Sequence, residues 1–145
     1  MSDTLYNAAI LRLATAIPHA ARLTDPQGSA SKRSPICGSR VTSDVVLGAD
    51  GRIAAFGQEV RACALGQASA ALFGARVIGR SPDELAEARD ALTGWLAGER
   101  GLPDWEGLEV LTPALPHKAR HASIRLAFEA AAEAAATAAS ARAAA

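Results

Sequence analysis

Apolar residues recur along the chain at spacings that predict several helices. Near the N-terminus they lie three or four positions apart, which predicts a helix over residues 3–17 with Asp3 as its N-cap. Residues 81–99 have the clearest helical pattern, with Ser81 as the cap and Glu84 at the capping-box position. The same spacing predicts two further helices, which begin at about residue 64 and at about residue 117.

Between the first two helices the pattern changes to that of β-strands. The runs RVTSDVVL and RIAAFGQEVRA are separated by GADG, whose Asp-Gly pair favours a hairpin turn. A bend at Gly57 would divide the second run and give a three-stranded antiparallel meander. Residues 24–36 are dense in proline, glycine, serine and charge, so they predict a surface loop.

The order of these elements predicts an α+β fold, in which helices pack on one face of a small three-stranded antiparallel sheet. A length of 145 residues suits one domain, so we expect residues 1–145 to form a single unit. Residues 131–145 are mostly alanine and lack a strong amphipathic pattern. We expect this tail to be helical and to fray at its end.

Charge and composition exclude several classes of function. The 15 basic and 15 acidic residues cancel, which argues against nucleic acid and anionic membranes as partners. No apolar run approaches the roughly 20 residues that cross a bilayer, and the N-terminus lacks the pattern of a signal peptide. Phosphate-loop and serine-hydrolase motifs are missing as well. We therefore expect a cytoplasmic protein without membrane contact.

The two cysteines of the chain both stand at the predicted edges of elements. Cys37 precedes Gly38, whose freedom to adopt a positive φ suits a turn that presents a ligand. Cys63 stands where strand spacing gives way to helical spacing, and a helix N-terminus favours the thiolate, which binds metals and acts as a nucleophile. The alternative for each cysteine is a small buried hydrophobe.

Two histidines near the last helix form a second candidate group. His117 and His121 are four residues apart, a spacing that puts two side chains on one helical face and can hold a metal. Lys118 and Arg120 surround them, so a solvated pair at a helix start is the alternative.

Three stretches resemble the U-type iron–sulfur cluster scaffold family, which comprises IscU, SufU and the N-terminal domain of NifU. The stretch LYNAAILRLATAIPHAARL is similar to the opening helix of the family, SPICGS resembles N-P-x-C-G-D, and RACALGQASAALF resembles G-C-x-I-S-x-A-S-A-S. The resemblance covers roughly residues 5 to 130. It implies that Cys37 and Cys63 bind iron or an iron–sulfur cluster, with zinc as the alternative metal. It also implies a cysteine desulfurase or other assembly proteins as partners.

The chain departs from the family pattern at two places. Ser39 stands where the family has an aspartate, and Ser123 or Ala122 falls opposite its third cysteine, according to the register. In the second register His121 matches the histidine before that cysteine, which implies a third and weaker metal ligand. Because clusters usually take four protein ligands, this set needs a second subunit in a homodimer, glutathione or another partner to complete it.

The leading prediction is therefore a scaffold-like protein for iron–sulfur cluster assembly, which is not an enzyme. It would bind iron or a labile cluster through Cys37 and Cys63, with His121 assisting. Two alternatives stay open. One is a divergent scaffold fold that acts as an interaction module without cluster assembly, and the other is a thiol or persulfide carrier that uses Cys63.

Overall fold

A computed structural model of the chain describes residues 5–35 and 38–144. In this part of the chain, a three-stranded sheet is followed by helices that pack against it. The strands are β1 (Gly28–Arg33), β2 (Arg40–Leu47) and β3 (Ile53–Arg61). The α-helices are α1 (Ala8–Ala14), α2 (Ala64–Gly74), α3 (Pro82–Leu96) and α4 (His121–Ala144). Two 3-10 segments, Leu108–Ala114 and Lys118–Arg120, precede α4.

The sheet is antiparallel throughout, with the strand order β1-β2-β3. The predicted α+β class and three-stranded antiparallel sheet are confirmed. The predicted origin of the third strand is wrong, because β3 runs unbroken through Gly57. The third strand is β1 instead, which lies inside the segment 24–36 that we expected to be a surface loop.

Close approaches of the backbone explain both errors. The sequence of β1, GSASKR, contains no β-branched or aromatic residue, so it carries no strand signal. Its small residues instead allow α4 to pack closely on the strand, because a Cβ at Gly28 would overlap the backbone oxygen of Ala134. Gly57 has the same role on the opposite face of the sheet, where a Cβ would overlap the carbonyl oxygen of Ala21. Gly57 therefore marks a close contact rather than a bend.

The helix termini follow local capping rules. The capping box predicted for α3 is confirmed, with Ser81 and Glu84 each bonded to the backbone of the other. The first helix is shorter than expected, since it begins after Asn7, whose side chain accepts a hydrogen bond of 3.0 Å from the Ile10 N–H. The predicted cap Asp3 lies outside the described residues.

The alanine-rich tail belongs to the core. Helix α4 continues to Ala144 and packs against β1, β2, α2 and α3, where a larger side chain would hold the elements apart. Most of its alanines up to Ala138 are buried, with Ala136 exposed, and the positions from Ser140 to Ala144 are exposed. The tail is helical, as expected, and the fraying of its end stays a prediction. The weak amphipathic pattern reflects a helix that is covered on most sides.

Aromatic side chains pack between α2, α4 and the segment after α3. Trp105, from the segment after α3, stacks on Phe73 of α2 at 5.1 Å between ring centroids and meets Phe128 of α4 edge to face. Its indole N–H donates a hydrogen bond of 2.9 Å to the Leu72 carbonyl.

None of the helices in the described ranges is long and apolar enough to cross a membrane.

Candidate functional site

Two segments leave the sheet at the same end. Arg40, the first residue of β2, pairs in register with Arg61, the last residue of β3. The residue before Arg40 and the residue after Arg61 are therefore neighbours at this end of the sheet. Ser39 directly precedes β2, and Cys63 follows β3 at the start of α2.

Cys63 is the N-cap residue of α2. Its backbone is extended, with φ −66° and ψ 171°, and its side chain makes no capping hydrogen bond. The thiol is partly buried, and its sulfur lies 3.1 Å from the hydroxyl oxygen of Ser123 on α4. The sulfur is therefore held at the junction of β3, α2 and α4.

A second hydroxyl extends this contact to the β1–β2 hairpin. The Oγ of Ser123 lies 3.3 Å from the Oγ of Ser39, and both serines are buried. Ser123 has one hydroxyl proton, so it donates in one of its two contacts and accepts in the other. Ser123 donates to Ser39, so it accepts from the Cys63 thiol.

Small residues of α2 set the distance between Ser123 and Cys63. A Cβ at Gly66 would lie 2.5 Å from the Ser123 Oγ and 2.7 Å from the Ala62 Cβ, so glycine allows α2 to approach α4 here. One turn later, the Ser69 hydroxyl donates a hydrogen bond of 2.7 Å to the Ile124 carbonyl. Our sequence reasoning missed both roles. Their only signal is the spacing of small residues in GQASA.

The hairpin loop is closed by its own backbone. The Ser34 N–H donates to the Ser39 carbonyl at 2.8 Å, and the Gly38 N–H donates to the Ser34 carbonyl at 3.1 Å. Gly38 has φ +73°, the left-handed region that its sequence position predicted. Cys37 lies outside the described residues, so its role as a ligand stays a prediction.

His121 is the first residue of α4 and is buried. Its Nε2 lies 3.1 Å from the Ala114 carbonyl oxygen and 3.0 Å from that of Leu115. Because carbonyl oxygens only accept, Nε2 carries a proton and Nδ1 is the nitrogen with a lone pair in the neutral ring. Residues two apart do not share a helical face, so the side chain of His121 leaves α4 in a different direction from that of Ser123.

The predicted ligands are thus not all brought together. His117 and His121 do not share one α-helix, because residues 118–120 form a 3-10 segment before α4 begins. Within residues 5–35 and 38–144, no group of three or more His, Cys, Asp or Glu side chains could hold a metal ion. The contacts that the structure assembles are those of Cys63, Ser123 and Ser39.

An ion pair with a fully buried carboxylate lies behind the site, on the other face of the sheet. The carboxylate of Asp44 is fully buried and accepts hydrogen bonds from Arg22, Ser29 and the Leu23 N–H at 2.6 to 3.0 Å. Burial alone raises the pKa of Asp44, but these hydrogen bonds lower it by more, so the pKa lies below its usual range. The pair fastens the segment before β1 to the sheet.

Comparison with known proteins gives structural matches only. Neither a protein-family model nor a curated protein sequence matches the chain. Among solved structures, it is similar to the N-terminal part of a nitrogen-fixing NifU-like protein from Brucella abortus. The identity is 36% and the TM-score is 0.89, over 96% of this chain and 97% of that one.

Two more distant structures share the fold. One is described as an iron–sulfur cluster assembly scaffold protein for the SUF system, from Fervidobacterium islandicum. It is 17% identical with a TM-score of 0.82, over 93% of this chain and 99% of that one. The other is a hypothetical protein, 20% identical with a TM-score of 0.71, over 92% of this chain and 98% of that one.

Proposed function

The chain belongs to the U-type family of iron–sulfur cluster scaffold proteins, and on this premise we propose that it carries iron or a labile iron–sulfur cluster on Cys37 and Cys63. Membership also confirms the expectation that the chain is not an enzyme, because a scaffold holds its cargo without converting it. The observation that carries the proposal is the place of Cys63. Its sulfur stands at the start of α2, beside Ser123 and at the end of the sheet where the hairpin loop emerges.

The residues beside Cys63 suit a cargo that is held weakly. Thiolates bind iron and zinc strongly, whereas a neutral serine hydroxyl is a poor ligand and a good hydrogen-bond donor. A metal-bound Cys63 would carry no proton, so Ser123 would turn its own proton from Ser39 to the sulfur rather than take a place on the metal. Hydrogen bonds to ligand sulfurs are one of the features that set the potential of a cluster. A set of two thiolates would release its cargo more readily than a full set of four.

Further ligands would come from His121 or from outside the chain. His121 would bind through Nδ1, because its Nε2 is engaged with the carbonyl oxygens of Ala114 and Leu115. A second copy of the chain, glutathione or a partner protein would supply what is then missing. We propose a cysteine desulfurase or another assembly protein as that partner, and iron as the metal, with zinc as the alternative.

A second candidate is an interaction module that keeps the fold without the cargo. Ser123 favours it, because the hydroxyl beside Cys63 replaces a donor that would bind metal strongly. In that case Cys63 and Ser123 would only join α2 to α4. The two candidates differ in one property, which is the capacity to load iron.

Anaerobic reconstitution with ferrous iron and sulfide tests the proposal. We expect visible charge-transfer absorption and bound iron that survives desalting, and we expect Cys37→Ala and Cys63→Ala each to abolish both. Ser140→Ala, on the exposed end of α4, is the control and should load like the unaltered chain. An unaltered chain that folds but retains no iron would favour the interaction module. If instead either cysteine reacts with iodoacetamide faster than a free thiol, the thiol carrier gains support.

A further inference from the structure

Three arginines lie in a row across the sheet at the end that carries the site. Arg33 of β1 pairs in register with Arg40 of β2, and Arg40 pairs with Arg61 of β3. Register partners share a face of the sheet, so the three side chains leave from the same face. We call them the arginine row. With strands about 4.8 Å apart, it spans roughly 10 Å.

The arginine row does not stabilise the fold. Like charges directly opposite each other on neighbouring strands repel. In the described part of the chain, Arg33 and Arg40 make no ion pair, and Arg61 has only Glu59 at 3.9 Å, with both side chains exposed. Such an exposed and distant pair contributes little.

Several other arginines of the chain are matched. Arg22, Arg52 and Arg100 each have a carboxylate within 3.0 Å, from Asp44, Glu84 and Glu87 respectively. Unmatched arginines elsewhere in the described residues, such as Arg12 and Arg142, lie on separate helices, whereas the row places three arginines on adjacent strands. A repulsive arrangement without an internal partner fits a surface whose counter-charges come from another molecule.

We propose that the arginine row docks an acidic segment of a partner protein at the end of the sheet that carries the site, on the face opposite α4. Guanidinium groups bind carboxylates in a bidentate geometry, and acidic side chains one helical turn apart are separated by about 5 to 6 Å, close to the strand spacing. Arg61 lies two residues before Cys63, while Arg33 ends β1 and Arg40 begins β2, and Cys37 lies between these two arginines in the sequence. A segment bound by all three arginines would lie next to the chain where it enters β2 and where it leaves β3.

The surroundings favour a protein segment over nucleic acid. The same face presents Thr42, Ser31 and Glu59, and none of these offers the aromatic surface on which bases stack. The chain also has no net charge to attract a continuous phosphate backbone. The partner's part in moving cargo rests on the proposed function, but the docking itself requires no iron.

Fluorescence anisotropy with a labelled hexaglutamate peptide at low ionic strength tests the docking. The test variant is Arg33→Gln, Arg40→Gln, Arg61→Gln, and we expect it to bind about 10- to 30-fold more weakly, since each exposed ion pair contributes about two- to threefold. The matched control is Arg12→Gln, Arg89→Gln, Arg142→Gln, which removes the same charge from α1, α3 and α4 and should change affinity less than threefold. Replacing the row with three lysines should retain most of the binding.

Further measurements distinguish docking from a change in folding, from binding of a different ligand and from self-association. The melting temperature of the glutamine variant should stay the same or rise, because like-charge repulsion is removed. A hexaglutamine peptide should not bind. Equal loss in the row and control variants would overturn the proposal, as would stronger binding of a single-stranded DNA hexanucleotide. Salt-sensitive self-association in sedimentation would also overturn it, because the occupant would then be a second copy.

The assay also keeps this inference separate from the proposed function. The Cys63→Ala variant should bind hexaglutamate like the unaltered chain, since the peptide contacts arginines and the assay contains no iron. Failure of iron loading with intact peptide binding would count against the cargo alone. Intact iron loading with no effect of the arginine row would count against the docking alone.

Discussion

Replacing Gly66 with alanine tests the contact on which the site depends. The new Cβ would lie 2.5 Å from the Ser123 Oγ, 2.7 Å from the Ala62 Cβ and 3.2 Å from the Ser123 carbonyl oxygen. The hydroxyl of Ser123 can rotate away, but the Ala62 Cβ and the Ser123 backbone cannot. Helix α2 must therefore move away from α4 at its first turn.

Two opposing effects set the size of the change. Alanine gains up to about 1 kcal/mol over glycine in helix propensity. Forcing a methyl group into a closed contact costs about 2 to 3 kcal/mol, at the upper end for overpacking because backbone atoms must shift. The free energy of unfolding should therefore fall by about 1 to 2 kcal/mol, which lowers the melting temperature by roughly 3 to 6 °C for a chain of this size.

A second glycine provides the control. Gly94 lies inside α3, and a Cβ there would lie 2.4 Å from the Cδ and 2.7 Å from the Cγ of Arg100, with no backbone atom among its nearest contacts. The exposed Arg100 side chain must swing aside, which offsets the gain in helix propensity, so Gly94→Ala should change stability by less than about 1 kcal/mol. Thermal and urea unfolding followed by circular dichroism measure both variants. If Gly66→Ala is as stable as Gly94→Ala, the close approach of α2 and α4 is not as described, and the position of Ser123 beside Cys63 loses its support.

Three further substitutions test other parts of the account. Asp44→Asn should lower the free energy of unfolding by about 2 to 4 kcal/mol at pH 7. Because folding lowers the pKa of Asp44, the stabilisation by its carboxylate is present above about pH 4 and is lost as the pH falls through the pKa of the folded protein. If the free energy of unfolding depends on pH in the same way in the variant and the unaltered chain, this prediction is contradicted. Gly28→Ala should cost about 2 to 3 kcal/mol in urea unfolding, while Gly101→Ala, whose Cβ meets nothing within 4 Å, should change stability by less than about 0.5 kcal/mol; equal effects would refute the packing of α4 on β1. Ser123→Cys places a second sulfur beside Cys63 and should tighten iron binding by about tenfold or more in a competition with a chelator, whereas unchanged affinity would mean that residue 123 does not face the metal.

The parts of the fold that sequence predicts well are those with strong local signals. Ser81 and Glu84 reveal the start of α3 because a capping box involves only neighbouring residues. β1 has no such signal, because its small residues allow α4 to pack closely and have low strand propensity. The alanines of α4 lack an amphipathic pattern for the same reason, because their burial is decided by tertiary contacts rather than by local spacing.

The site was predictable in its chemistry and less so in its contacts. Cys63 at the start of a helix follows from the change of spacing, and the structure has α2 begin at the next residue. Local sequence could not show that Ser123 contacts the sulfur of Cys63, 60 residues away in the chain, and the hydroxyl of Ser39, 84 residues away. The register of the hairpin and the crossing of α2 over α4 create that contact. Helical spacing also linked His117 to His121, which the 3-10 segment between them does not support.

X-ray absorption at the iron edge of the anaerobically loaded protein tests the central claim most directly. The account predicts a shell of sulfur ligands around the iron in the unaltered chain, and it predicts that Cys63→Ser loses sulfur from this shell or binds no iron at all. A shell made only of oxygen and nitrogen, or a sulfur shell that is unchanged by Cys63→Ser, would contradict the proposal that Cys63 holds the cargo.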